Sequence, residues 1–261
     1  MRALDHISPI PFIIVSLAIS LATGATPPSN STAFTELFNL KQNASLGELS
    51  FRRGTTTEKL SFGATTGLYA IGFEVDSTLL PAPYQNQFKG QQVLQIILGN
   101  ANPGDKLSQF GSFLLVADVS GNQSQLRVPT KDNQSSRNAL YVQFRSPQTP
   151  SNTADEEALK STFFASSGVG RVDPKGKPEG LAVSFSDRRL RFSKRRVRVE
   201  LNTLLATPFN PESADIKGAI ELALFSPGSD ETTSFLREVL AETLRAPTPK
   251  GPPILNPAKK K

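Results

Sequence analysis

The 261-residue chain has no Cys and no Trp, and its single Met and single His are Met1 and His6. Both lie in a segment with the character of a leader, so the rest of the chain lacks all four residue types. These absences exclude more chemistry than any motif suggests. Without Cys there is no disulfide, no thiol nucleophile and no lipoprotein anchor. Without Cys or His there is no zinc site of the usual ligand set and no histidine-based triad. Haem and iron–sulfur ligation lose every common side-chain ligand except the rarer Tyr. No cofactor is expected.

Residues 1–25 read as a secretory signal peptide. Arg2 and the α-amino group form a short positive start, weakened by Asp5. The apolar stretch Phe12 to Ala22 is shorter than the roughly 20 apolar residues a membrane-spanning helix needs. Small residues follow in Thr23-Gly24-Ala25, where cleavage fits. The expected location is secreted or periplasmic. A secreted chain often relies on disulfides; this one is long enough to bury most of its apolar surface without them. Asn-x-Ser/Thr sequons stand at Asn30, Asn43, Asn122 and Asn133, and in Ser/Asn-rich loops such triplets arise by chance.

Beyond the leader, residues 26–34 form a Pro/Ser/Asn-rich flexible entry and 35–245 a single domain. A division near Thr149 to Asn152 is the alternative. Residues 246–261 form a disordered Pro-rich tail ending in three Lys. Within the domain the apolar period is two. Leu49/Phe51 and Leu60/Phe62 flank Gly54 as a hairpin. Strands are expected at 68–76, 91–98, 110–118, 125–128 and 140–145. They resume at 163–172, 181–185, 190–192, 197–205 and 216–225. Some helical character appears at Thr35 to Leu40. Thr153 and Glu156 have capping-box spacing for a short mid-chain helix to Lys160. A C-terminal helix is expected from Asp230, as its cap, to Arg245, with Phe235, Leu236, Val239 and Leu240 as its apolar stripe. The fold class is mainly β, with β-sandwich or jelly-roll-like antiparallel sheets. A closed barrel is the alternative.

Catalytic signatures are missing. There is no Gly-x-Ser-x-Gly elbow, no Ser–Lys hydrolase spacing and no P-loop. Gly168-Val-Gly170 lacks the third Gly of a dinucleotide fingerprint and reads as a bend in a strand. Paired carboxylates remain open in principle; Glu74 and Asp76 share a face but read as a solvated strand end. Asp118 to Asn122 has the shape of a calcium turn with only one carboxylate, and reads as an ordinary Asx turn. No metal site is expected.

One local feature stands out, the run from Asp187 to Glu200. With period two, Leu190 and Phe192 point one way while Arg189 and Arg191 point the other. A turn at Ser193-Lys194-Arg195 then gives a hairpin in which Val197, Val199 and Leu201 point inward and Arg196 and Arg198 outward. Arg189, Arg191, Arg196 and Arg198 thus form one cationic face, with Glu221 on a neighbouring strand as its offsetting acid. Guanidinium forks fit phosphate, sulfate and carboxylate. The formal charge of +6 divides unevenly: residues 26–244 hold 23 basic and 22 acidic side chains, and 245–261 hold five basic and none acidic. A nucleic-acid partner is not expected, since it asks for a broader field with aromatic stacking. The expected function is a non-catalytic binding or structural module that contacts an anionic envelope polymer or membrane surface. The alternatives are a secreted carboxylate-dependent hydrolase and a scaffold subunit that pairs with a protein partner.

Overall fold

The computed structural model describes residues 38–75, 89, 91–100, 108–117, 123–129, 138–146, 161–185, 188–207 and 210–243. Ten strands and one helix follow in order: β1 (Leu46–Arg53), β2 (Thr56–Phe62), β3 (Leu68–Val75), β4 (Val93–Asn100), β5 (Ser108–Val116), β6 (Ser124–Arg127), β7 (Ala139–Phe144), β8 (Phe163–Phe185), β9 (Arg188–Thr207), β10 (Asn210–Pro227) and α1 (Asp230–Thr243). The chain is mainly β with a C-terminal helix, as its alternation predicts. The expected mid-chain helix at 153–160, the flexible entry and the basic tail lie outside the described residues.

All ten strands belong to one mixed sheet rather than to two facing antiparallel sheets. β10 pairs with β9 along one edge. Along its other edge it pairs with β1 over Ala214–Glu221 and, in parallel, with β3 over Ala223–Phe225. From β3 the ladder runs through β4, β5, β7 and β8 back to β9, so the pairings close on themselves. The β1–β2 hairpin hangs from the first half of β10. Short β6 pairs with β8 and touches β7 at one position.

Two clusters sit on opposite faces of this sheet. Leu94, Ile96, Phe113, Phe144, Val199 and Leu222 belong to the larger one, with the inner side chains of β1 and β2. Ile71, Phe73, Leu190, Phe192 and Phe225 belong to the other, which Phe38 and the helix residues Phe235 and Leu236 cover. Phe38 meets Phe73 and Phe225 edge-on at 5.0 and 5.1 Å between centroids, a favoured aromatic geometry. Each fully buried Phe or Leu removes apolar area worth about 1.5–3 kcal/mol. Burial of Tyr69 in the second cluster pushes its phenol pKa well above the ordinary range, because the anion would lose its hydration there.

Two local expectations change. The helix cap is Ser229 rather than Asp230: the Thr232 amide donates to Ser229 Oγ at 3.2 Å. Asp230 and Glu231 occupy the first turn, where acidic side chains suit the helix dipole. The expected strands at 163–172 and 181–185 are one continuous β8. Residues 173–180 look like a loop because of Pro174, Gly176, Pro178 and Gly180. The strand absorbs them by a register shift between Lys175 and Glu179 along an edge with no partner among the described strands. Pro is tolerated where its missing N–H faces away from a ladder.

Candidate functional site

The Arg-rich run is not a hairpin turning at Ser193–Arg195. It is part of the single 20-residue strand β9, in register with β10 without a break from Phe192 to Leu205. The reversal of the chain falls between β8 and β9, after Phe185. A turn accounted for the change of apolar parity between Leu190/Phe192 and Val197/Val199. The strand accounts for it differently. Its first end buries one face in the helix-covered cluster, and its second end buries the opposite face in the larger cluster. The four arginines therefore divide. Arg189 and Arg191 share one face, Arg196 and Arg198 the other.

Arg196 and Arg198 stand among acids. Arg196 Nε donates to Glu221 Oε1 at 3.1 Å and its Nη1 to the Ala44 carbonyl at 3.0 Å. Glu221 lies opposite Arg198 in the β9–β10 ladder, beside the Arg row as its strand face predicts. Arg198 Nε donates to Glu200 Oε1 at 3.0 Å, and Arg171 Nη2 on β8 reaches the same oxygen at 3.1 Å. The Gln123 amide, with its oxygen turned to the guanidinium, accepts from Arg171 Nε at 2.8 Å. Arg52 and Lys217 converge likewise on the buried carboxylate of Asp215. This face is an ion-paired lattice across β1, β10, β9 and β8.

Arg189 and Arg191 differ. Both are exposed, and among the described residues neither has an ion-pair partner. Their neighbours on β8 are the small residues Ser184 and Ala182. Arg188, at the strand start, approaches Glu238 of α1 at 3.8 Å.

A half-open groove of about 530 Å³ crosses the ion-paired face. Arg127 of β6, Val169 and Arg171 of β8, and Arg198, Glu200 and Asn202 of β9 line it. Sequence reasoning missed Arg127 and Arg171, since both reach the groove through pairings distant in sequence. The one local signal was Gly168-Val-Gly170, which lies within continuous β8 just past a register shift between Ala165 and Ser167. Gly168 has φ +128°, and a Cβ there would fall 2.5 Å from the Asn202 carbonyl oxygen. Gly218 on the other flank of β9 has φ +137°, and its Cβ would fall 2.2 Å from the Glu48 oxygen. Both conformations are ones that side chains with a Cβ rarely adopt. Among the described residues, three guanidiniums against one carboxylate leave the groove with a net charge of +2. Arg127 is exposed and, among the described residues, has no ion-pair partner. At 46% exposure, Arg198 keeps donors directed to solvent.

A second pocket, of about 350 Å³, brings together Arg53, Glu58, Ser146, Phe163 and Glu212. Ser146 Oγ donates to Glu58 at 2.7 Å, and Arg53 Nε donates to Glu212 at 2.8 Å. Of the other sequence candidates, Glu74 accepts from Ser226 Oγ at 2.6 Å, while Asp76 and the 118–122 turn lie outside the described residues. Among the described residues no cluster of three acidic side chains is arranged to hold a metal ion, and no helix is long and apolar enough to cross a membrane. Comparison with protein-family models, curated proteins and solved structures finds no match.

Proposed function

We propose that this is a secreted or periplasmic non-catalytic module that binds an anionic group of a cell-envelope polymer in the groove formed by β6, β8 and β9. One observation carries the reading: among the described residues, three arginines from three strands converge on one concave surface with a single carboxylate among them. The volume falls within the roughly 300–1,000 Å³ of small-ligand sites. The fork of Arg198 and the exposed Arg127 offer donors for sulfate, phosphate or carboxylate, while Asn202 and Val169 supply a neutral polar and an apolar contact. With no aromatic side chain on the groove wall among the described residues, the ligand is held by charge rather than by ring stacking. The leader-like residues 1–25 support the extracytoplasmic setting. Arg196 is a supporting neighbour through Glu221, and Arg189 and Arg191 belong to a separate surface.

Calorimetric titration of the full chain with a sulfated disaccharide and with tripolyphosphate tests this. Arg127→Ser removes a side chain with no ion-pair partner among the described residues, and it should weaken binding about tenfold while the fold stays intact. Arg198→Ser should cost at least as much. Unchanged affinity in both variants, with Arg189→Ser/Arg191→Ser weakening it instead, would transfer the function away from the groove.

The pocket holding Glu58 and Glu212 favours a second reading, a carboxylate-dependent hydrolase. That reading requires turnover of a glycoside or ester that Glu58→Gln or Glu212→Gln abolishes. Equal turnover by parent and variants removes it.

A further inference from the structure

We propose that the outer edge of β8 from Gly180 to Phe185 receives an extended peptide by strand addition, one in which acidic and apolar residues alternate. Among the described strands, β8 pairs over these residues with β9 on one side only; its pairings with β6 and β7 are confined to Phe163–Val172. The direction of its edge groups follows from Arg191. The Arg191 N–H donates to Thr232 Oγ1 at 3.2 Å, and its carbonyl accepts from the Gly228 N–H at 2.9 Å. Both groups thus point away from β8, which makes Ala182 and Arg191 a pair with no hydrogen bonds between them. In an antiparallel ladder the N–H and C=O of Ala182 must then point to the open side, with those of Gly180 and Ser184 in alternation. Such a row of groups, without a ladder partner among the described strands, templates another strand.

The preceding stretch is protected. Pro174, Lys175, Lys177 and Pro178 and the register shift at Lys175/Glu179 are the devices that keep edge strands from pairing. They stop before Gly180. Leu181 to Phe185 contains no Pro and no charge.

Chemistry on the two faces defines the occupant. On one face Leu181 and Val183 pack partly against the helix-covered cluster, so an added strand meets apolar surface there. On the other, Ala182 and Ser184 are small and exposed, and Arg191 and Arg189 stand directly across from them on β9 without ion-pair partners among the described residues. An added strand lies about 10 Å from β9, since strands are spaced about 4.8 Å apart. Glu side chains can bridge that gap to long Arg side chains over low Ala and Ser. A second copy of this chain fits less well, because mutual pairing of the same edge sets two pairs of Arg on one face.

The test titrates the full chain with an alternating Glu/Val peptide of about eight residues. Binding is read by fluorescence anisotropy and by hydrogen exchange at the Ala182 and Ser184 amides. The peptide should slow exchange at both. Arg189→Ser/Arg191→Ser should weaken binding about tenfold at low salt and flatten its salt dependence. Ala182→Pro removes an outward N–H that no ladder among the described strands uses and should abolish binding. Ser184→Lys, which keeps the backbone unchanged, should weaken it as well. Arg127→Ser should leave it intact, which separates this edge from the groove. Unprotected amides at saturating peptide, wild-type affinity in Arg189→Ser/Arg191→Ser and Ser184→Lys, or a dimer that buries the edge would each overturn the proposal.

Discussion

The two ends of β9 carry the same side chain in the same spacing, Arg189/Arg191 and Arg196/Arg198, yet they are different surfaces. At the body end β9 lies between β8 and β10, and each arginine meets a carboxylate within 3.1 Å. At the tip end Arg189 and Arg191 face small residues across β8 and have no ion-pair partner among the described residues. The underside differs too. The body buries Val197, Val199 and Leu201 in the larger cluster, and the tip buries Leu190 and Phe192 on the opposite face. A strand twenty residues long can serve two cores because side-chain direction alternates at every residue. What an arginine does is then decided by the strand beside it, not by the run in which it occurs.

The largest test of this contrast lies in two glycines that flank β9. Gly218, across from Leu201 in the body, sits at φ +137° against the Glu48 carbonyl. Gly180, across from Ser193 toward the tip, has nothing within 4 Å of an added Cβ. Gly218→Val should cost at least ~3 kcal/mol or prevent folding, because neither the backbone angle nor the β1 backbone can yield. Gly180→Val should stay within about 0.5 kcal/mol of the parent. Denaturant unfolding of both variants reads the difference, and equal stabilities would contradict the close packing of β1 against β10.

A smaller effect separates the arginine pairs themselves. Arg196→Ser/Arg198→Ser takes the arginine donors from Glu221 and the Ala44 carbonyl and leaves Glu200 with Arg171 alone, and should lower stability by about 1–2 kcal/mol, discounted for partial exposure. Arg189→Ser/Arg191→Ser removes two like charges with no ion-pair partner among the described residues, and should change stability by no more than about 0.5 kcal/mol. If the tip pair proved as costly to remove as the body pair, the division of β9 would be wrong.

Much of the sheet was readable from alternation: β1 with β2, and β3, β4, β5, β6 and β7, fall within a few residues of their expected positions. Glu221 was readable as well, since its strand face and an antiparallel β9–β10 pairing place it beside the Arg row. What alternation does not carry is which strands adjoin. Arg171 and Arg127 reach the groove through the β6–β8 and β8–β9 ladders, at separations no periodicity encodes. The misplaced turn at Ser193–Arg195 has a related cause. A change of buried parity within a strand and a reversal of the chain leave the same apolar pattern. Only the uninterrupted register with β10 distinguishes them.

The finest test converts part of the body into a surface like the tip. Glu200 accepts from both Arg171 and Arg198 and is the only carboxylate on the groove wall among the described residues. Glu200→Gln keeps the shape and a hydrogen-bond acceptor but removes the charge. The ion pairs are 32–46% exposed on the side-chain scale, so the cost in stability should stay below about 1 kcal/mol. The groove's net charge rises from +2 to +3 and two guanidiniums lose their competing anion. Tripolyphosphate should then bind about three- to tenfold more tightly at low salt, and the gain should fade as screening shortens the reach of the charges. A loss of affinity would mean instead that Glu200 holds Arg171 and Arg198 in their binding positions. The body arginines would then work only as paired groups, and the contrast with the tip would be one of orientation rather than of available charge.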